Sequence, residues 1–121
     1  MAKILLVDDA AFMRMMVKNS LTKGGFGDCT FIEAVDGMDG VQKYADEKPD
    51  LVIMDITMPN MDGLQALKKI READPSAKVV MCTAMGQESM VVEAIKNGAK
   101  DFVVKPFNNE RICSTVKGIL G

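Results

Sequence analysis

Five short apolar segments alternate with five longer amphipathic segments along this 121-residue chain. Three of the short segments are almost continuously apolar, as parallel strands are when helices cover both faces of their sheet. Strict alternation of strand and helix produces right-handed crossovers between parallel strands. We therefore predict an α/β fold with a doubly wound parallel sheet. The predicted strands are Ile4–Val7, Cys29–Ala34, Leu51–Met54, Lys78–Cys82 and Asp101–Val104.

The amphipathic segments carry start and stop signals that are typical of helices. Pro49 follows the second segment and Asn97-Gly98 follows the fourth, and both kinds of residue end helices. These signals, together with the positions of the strands, set the lengths of the helices. The predicted helices begin near Ala10, Gly37, Asp62, Gln87 and Asn108.

Two of these helices have apolar faces that can be predicted from the spacing of their residues. In the first helix, Met13 and Val17 share a face because they are four residues apart. In the fourth helix, we expect Val91, Val92 and Ile95 to form the apolar stripe. These faces would pack against the sheet.

The length and the net charge of the chain limit how many domains it can form and which partners it can bind. A chain of 121 residues suits one domain, and we expect a single domain over residues 1–121 without an output domain. The net charge is −2 and there is no basic run, so nucleic acid is not an expected partner.

No apolar run approaches the ~20 residues that span a bilayer. Three scattered cysteines indicate reduced thiols, and we expect a cytoplasmic monomer that does not bind membranes.

The chain contains no histidine. This excludes Ser–His and Cys–His nucleophile pairs, histidine general bases and histidine metal ligands from the chemistry of this chain. Any reaction at this protein must therefore use carboxylates, hydroxyls and lysine. Any group that reacts through a histidine would have to come from another molecule.

Polar side chains follow four of the predicted strands. Asp8-Asp9 comes after the first strand, Asp55 after the third, Thr83-Ala84 after the fourth and Lys105-Pro106 after the fifth. Ligands of open parallel sheets bind outside the carboxyl ends of the strands, so these side chains should share one site. Taken alone, Asp8-Asp9 is better explained as a helix N-cap pair, Thr83 as a cap and Lys105-Pro106 as a turn. Their coincidence at one end of the sheet favours a functional site.

The charges of this predicted site favour a divalent cation. Three neighbouring carboxylates repel one another unless a cation offsets them. Mg²⁺ prefers oxygen ligands, and it often binds one or two carboxylates together with a phosphate. Lys105 and Thr83 would supply a positive charge and a hydroxyl donor for phosphate oxygens. Asp55 is ionised at neutral pH, so it could attack phosphorus without a general base.

The same residues resemble the receiver domain of two-component response regulators. The resemblance rests on Asp8-Asp9, on Asp55 within Ile53–Pro59, on Gly63, on Thr83-Ala84 and on Lys105-Pro106-Phe107, and it covers essentially the whole chain. It implies the flavodoxin-like (βα)5 fold, with five parallel strands in the order 2-1-3-4-5. It also implies a signalling switch that only transfers and slowly loses its own phosphoryl group, rather than an enzyme.

The resemblance implies a role for each residue of the site. Asp55 would be the phosphoacceptor, and Thr83 and Lys105 would contact the phosphoryl group. Mg²⁺ would be bound directly by Asp9, Asp55 and the backbone carbonyl of Thr57, and largely through water by Asp8. Phe102 would be the aromatic switch residue, without the hydroxyl of the tyrosine that is common there.

Within the receiver family, the segments Asp9–Arg14 and Ala84–Gln87 are most similar to stand-alone CheY-type chemotaxis regulators. This resemblance implies three partners: a CheA-like sensor histidine kinase, the flagellar motor switch protein and a dedicated phosphatase. A stand-alone phosphorelay intermediate is the alternative within the family.

Two alternatives lie outside the receiver family. A phosphatase of the haloacid dehalogenase type would have a second Asp two residues after the nucleophile, where this chain has Thr57. A flavin-binding protein of similar fold would need small polar residues after the first strand to bind a phosphate. This chain instead has Asp8-Asp9 there, which repels one.

Overall fold

The computed structural model describes residues 2–121, which form five strands and five α-helices in strict alternation. A π-helical turn, Thr22–Phe26, extends the end of the first helix. The strands are β1 Lys3–Val7, β2 Thr30–Ala34, β3 Leu51–Asp55, β4 Val79–Thr83 and β5 Asp101–Val104. The helices are α1 Ala11–Leu21, α2 Gly37–Glu47, α3 Gly63–Ala73, α4 Glu88–Lys96 and α5 Asn109–Leu120.

All five strands are parallel and lie in the order β2-β1-β3-β4-β5, which confirms the predicted flavodoxin-like topology. The predicted strand bounds differ from the observed ones by one residue or less at each end. The ladder continues through Asp55, which is paired with Cys82, so β3 extends one residue beyond its apolar run. The strand order places β1, β3 and β4 in the centre of the sheet.

Two hydrophobic cores lie on opposite faces of the sheet. Along β1, Ile4 and Leu6 belong to one core and Leu5 and Val7 to the other, because successive strand residues point to opposite faces. The first core is covered by α1 and α5, and the second by α2, α3 and α4. Burial on both faces explains why the central strands are continuously apolar.

Helix α4 differs from the prediction. Ala94 is its buried residue and Met90 packs against the core, whereas Val92 and Ile95 are 54% and 46% exposed. The expected stripe of Val91, Val92 and Ile95 was therefore wrong. The face that carries Met90 and the small Ala94 meets the sheet, so Val92 and Ile95 remain on the surface.

The chain segments that follow β3 and β4 are next to each other at the carboxyl end of the sheet. We refer to residues 56–62 as the β3–α3 loop and to residues 84–87 as the β4–α4 loop. The β3–α3 loop ends in a capping box, in which Asp62 accepts from the Gln65 backbone N–H and the Gln65 side chain accepts from the Asp62 N–H. Among residues 2–121, no helix is long and apolar enough to cross a membrane.

Candidate functional site

Asp8 and Asp9 follow β1 at the carboxyl end of the sheet. Asp8 is only 8% exposed, and its Oδ1 accepts a hydrogen bond from the Ala10 N–H at 2.9 Å. Asp9 is exposed. The N-cap of α1 is Ala10 and no side chain caps that helix, so these two acids are not an N-cap pair.

Asp55 and Lys105 form an ion pair at the same end of the sheet. Lys105 Nζ lies 3.2 Å from Asp55 Oδ1 and 3.5 Å from Asp8 Oδ2. The side chains of Asp8 and Asp55 are 12% and 13% exposed, so this pair is better shielded from water than a surface ion pair. One lysine is thus shared between two carboxylates.

The three predicted acids come together as a possible metal site. One carboxylate oxygen from each of Asp8, Asp9 and Asp55 lies within 4.8 Å of the others. Three carboxylates face one ammonium group, which leaves an excess of negative charge. Hard oxygen donors in this number fit a divalent cation such as Mg²⁺, which usually keeps several waters as its other ligands.

Burial and neighbouring charges shift the pKa values of the central pair. Burial raises the pKa of Asp55, Lys105 opposes this rise, and the negative charge of Asp8 adds to it. Burial of the Lys105 ammonium lowers its pKa, but Asp55 and Asp8 overcome this effect, and the net shift is upward. The site therefore disfavours the charge of Asp55, and a bound cation would relieve this penalty.

Thr83 is the last residue of β4 and is 1% exposed. It directly follows Cys82, the register partner of Asp55, and its backbone carbonyl accepts from the Lys105 N–H at 2.7 Å. The pairing of β4 with β3 and the hydrogen bond from Lys105 together fix Thr83 between Asp55 and Lys105 at the carboxyl end of the sheet. The burial of the neighbouring Cys82 raises the pKa of its thiol to about 12, so this thiol stays protonated at neutral pH.

Thr57 lies two residues after Asp55 and is exposed, and its hydroxyl accepts from the Gln87 side-chain amide at 2.9 Å. The Gln87 side-chain carbonyl in turn accepts from the Ala84 N–H at 2.7 Å. The sequence predicts a helix that begins near Gln87 but indicates no contact for the Gln87 side chain. Thr57 and Gln87 are 30 residues apart, so no local pattern could have indicated this contact.

Phe102 lies in β5, opposite Met81 of β4, and is half-buried. It lines a surface cavity of about 420 Å³ together with Thr83 and the β4–α4 loop. The Phe102 carbonyl accepts from the Arg111 guanidinium of α5 at 2.9 Å. The predicted switch residue therefore lies on β5, in contact with the cavity beside Thr83 on one side and with α5 on the other.

Arg14, like Gln87, makes contacts near the site that no pattern in the sequence indicated. Its guanidinium donates to the backbone carbonyl of Asp8 and, at 2.9 Å, to Glu33 of β2. It therefore connects α1 and β2 to the segment that carries the first two acids. Its partners lie on two other segments of the chain, and no local motif indicates such a contact.

Comparison with known proteins identifies the family to which this chain is similar. The family model described as the response regulator receiver domain matches residues 4–117. A chemotaxis protein CheY from Bacillus subtilis is 54% identical over 118 residues, which cover 98% of this chain and 97% of that protein. A chemotaxis protein CheY from Thermotoga maritima is 52% identical over 117 residues, which cover 97% of this chain and 96% of that protein.

A solved structure shows the same fold. The crystal structure of a CheX–CheY–BeF3–Mg²⁺ complex from Borrelia burgdorferi matches with a TM-score of 0.90 and 35% identity, covering 99% of this chain and 90% of that one. CheY-like receiver domains are signalling switches. The arrangement of strand-end acids and lysine, the sheet order and these similarities lead to one conclusion: the chain belongs to the response regulator receiver family of two-component systems.

Proposed function

We propose that this chain is a phosphorylation-dependent switch in which Asp55 accepts a phosphoryl group from a phosphohistidine of a CheA-like sensor histidine kinase. The observation that carries the proposal is the position of Asp55, whose Oδ1 lies 3.2 Å from Lys105 Nζ. Asp55 also shares a cluster of carboxylate oxygens with Asp8 and Asp9, all within 4.8 Å. A nucleophile, a cation for the phosphoryl oxygens and a metal-binding set thus occupy one place.

Asp9, Asp55 and the backbone carbonyl of Thr57 would hold Mg²⁺ directly, and Asp8 would hold it largely through water. The Mg²⁺ of the Borrelia complex supports this choice of ion. When bound, Mg²⁺ neutralises the charge that the phosphoryl oxygens bring to an already acidic site. Lys105 makes the complementary contact, because its ammonium already lies beside Asp55.

The transfer step needs no general base on this chain. A carboxylate oxygen of Asp55 forms a bond to phosphorus as the P–N bond of the phosphohistidine breaks. The imidazole nitrogen of the donor leaves with the electron pair and takes up a proton from solvent. Hydrolysis reverses the modification: water attacks phosphorus, the O–P bond breaks, and the Asp55 carboxylate and inorganic phosphate are released.

The phosphoryl group would act on the rest of the molecule through Thr83 and Phe102. Its oxygens attract the Thr83 hydroxyl, and the shift of Thr83 makes room for the Phe102 ring, since both side chains line the same cavity. The change then reaches α4, β5 and α5. The exposed Val92, Ile95 and Val104 give this surface apolar area for a partner.

Chemotaxis is the pathway that the comparisons favour. The names of the relatives from Bacillus and Thermotoga support the flagellar motor switch protein as the partner of the phosphorylated form. The complex of the Borrelia CheY with CheX supports a further regulatory partner, which we propose to be a dedicated phosphatase. We also propose that residues 1–121 act as one domain, and that the protein is a cytoplasmic monomer that binds neither membranes nor nucleic acid.

Phosphorylation of Asp55 can be tested by intact-protein mass spectrometry. Incubation with acetyl phosphate and Mg²⁺ should add ~80 Da, the mass of one phosphoryl group. Asp55→Asn should abolish the addition, because the amide is a poor nucleophile, whereas the exposed Asp28→Asn should retain it. Chelation of Mg²⁺ should also suppress it. A full addition on Asp55→Asn would reject Asp55 as the acceptor.

Binding to a flagellar motor switch peptide tests the output. The BeF3−-loaded protein should bind the peptide more tightly than the free protein, by about tenfold or more, because the ligand favours one state of the α4–β5–α5 surface. Fluorescence anisotropy measures this ratio. Equal affinities would contradict the chemotaxis assignment and favour a phosphorelay intermediate.

A further inference from the structure

The Gln87 side chain joins the two loops that flank Asp55. Its carbonyl accepts from the Ala84 N–H at 2.7 Å, and its amide donates to the Thr57 hydroxyl at 2.9 Å. Gln87 is the N-cap residue of α4, yet its side chain does not cap that helix. The side chain is therefore directed across the gap between the β4–α4 loop and the β3–α3 loop.

The rest of the β4–α4 loop is weakly held. Met85 is 82% exposed, and Gly86 has a φ of +89° with an open environment. Within residues 2–121, the bond from the Gln87 amide to the Thr57 hydroxyl is the only hydrogen bond between the two loops. One side-chain rotation at Gln87 would therefore release the β4–α4 loop from the β3–α3 loop.

The position of Ala84 couples this contact to the site. Ala84 follows Thr83 in the chain, so a backbone shift that brings the Thr83 hydroxyl toward a phosphoryl group on Asp55 carries the Ala84 N–H with it. If the Gln87 side chain follows Ala84 through that shift, its amide moves away from the Thr57 hydroxyl, because Thr57 belongs to the other loop. Movement of Thr83 and retention of both hydrogen bonds thus oppose each other.

We propose that Gln87 is a latch that stabilises the unphosphorylated arrangement of the β4–α4 loop. It acts as a positioning residue for Thr83, and this proposal rests on the proposed function of Asp55. A contact that is present in only one of two states shifts the equilibrium toward that state. Loss of the latch should therefore favour the state that binds a phosphoryl group. A net change of about one hydrogen bond corresponds to about fivefold.

The test compares Gln87→Ala with the wild type and with Gln42→Ala. Gln42 is an exposed glutamine of α2 whose side chain, within residues 2–121, bonds to Asp46 alone, so it controls for the loss of a surface amide. In Mg²⁺, the affinity for BeF3−, a tetrahedral mimic of a phosphoryl group on a carboxylate, should rise about fivefold for Gln87→Ala and stay unchanged for Gln42→Ala. In the metal-free protein, hydrogen exchange of the Ala84 amide should be faster for Gln87→Ala alone.

Thr57→Val tests whether the effect passes through the contact between the loops. Valine keeps the branched side chain of Thr57 but removes the acceptor for the Gln87 amide. If the latch joins these two residues, Gln87→Ala should change BeF3− affinity by less than about twofold in the Thr57→Val background. An undiminished fivefold effect in that background would overturn the two-point latch.

The outcomes separate this proposal from the one on which it rests. If the wild type does not bind BeF3− in Mg²⁺, the proposed function of Asp55 fails and the latch fails with it. If the wild type binds and Gln87→Ala binds equally well or more weakly, only the latch is overturned. Unchanged exchange of the Ala84 amide in Gln87→Ala would also overturn the latch.

Discussion

The two loops beside Asp55 differ in how firmly the rest of the molecule holds them. In the β3–α3 loop, Ile56 and Met58 are buried and the Gly63 N–H donates to the Ile56 carbonyl at 2.7 Å. The Asn60 side chain also donates to Asp36 at 2.8 Å, which ties this loop to the start of α2. The β4–α4 loop, in contrast, has no buried residue.

This difference suits the two tasks that a receiver site combines. The proposed nucleophile and metal ligands must keep their relative positions, and Asp55 directly precedes the firmly held loop. A switch needs a segment that rearranges at low cost, and segments with few buried contacts open most easily. The fold thus places the proposed acceptor beside a rigid loop and the proposed movable reporter in a weakly held loop, and the Gln87 side chain connects the two loops.

Two glycine substitutions, one beside the β3–α3 loop and one in the β4–α4 loop, should differ most in their cost to the stability of the fold. A Cβ at Gly63 would lie 2.2 Å from the Asp55 carbonyl oxygen, which is fixed in the sheet, so Gly63→Ala should destabilise the fold by about 3 kcal/mol. A Cβ at Gly86 meets no atom within 4 Å, so Gly86→Ala should cost only about 1 kcal/mol for its left-handed backbone. Urea denaturation measures both free energies of unfolding.

Equal losses at the two glycines would contradict the contrast between the loops. The mass-spectrometric phosphorylation assay provides a second readout on the same proteins. Gly63→Ala should also slow phosphorylation, because the clash displaces the backbone that carries Asp55.

Ionisation of Asp55 should change the free energy of unfolding by a smaller amount, which depends on pH. Burial raises the pKa of Asp55 in the folded protein above its ordinary value of 3.8. The folded chain therefore binds a proton more tightly than the unfolded chain, so metal-free stability falls as pH rises through this range and stays lower above it. Asp55→Asn cannot ionise, so in EDTA it should be more stable than the wild type at neutral pH.

This stability gap should shrink as pH falls toward the ordinary pKa of a carboxyl group, and it should be smaller than either glycine effect. Thermal denaturation in EDTA over a series of pH values measures it. Asp28→Asn, which removes an exposed carboxylate, is the control. A wild type that is more stable than Asp55→Asn at neutral pH would show that Lys105 outweighs the cost of burial.

The fold was largely predictable because its signals are local. Strands buried on both faces must be apolar throughout, so Leu51–Met54 and its counterparts were visible in the sequence. The strand order came from the resemblance to a family. The positions of Asp8, Asp55 and Lys105 then followed from the rule that ligands bind at the carboxyl ends of parallel strands.

The parts that were missed depend on contacts between distant segments. Val92 and Ile95 are apolar, which predicted burial, but packing of the sheet against Ala94 determined which face of α4 turns inward. The contacts of Gln87 with Thr57 and of Arg14 with Asp8 join residues from different elements. Such contacts have no periodicity or motif, so only the structure could reveal them.

Hydrogen exchange with and without BeF3− in Mg²⁺ follows both loops in one experiment. We expect loading of Asp55 to change the exchange of residues 84–96 and 101–104 markedly, and that of residues 58–62 much less. A change confined to residues 58–62, with residues 84–96 unaffected, would contradict the division between a rigid acceptor and a movable reporter.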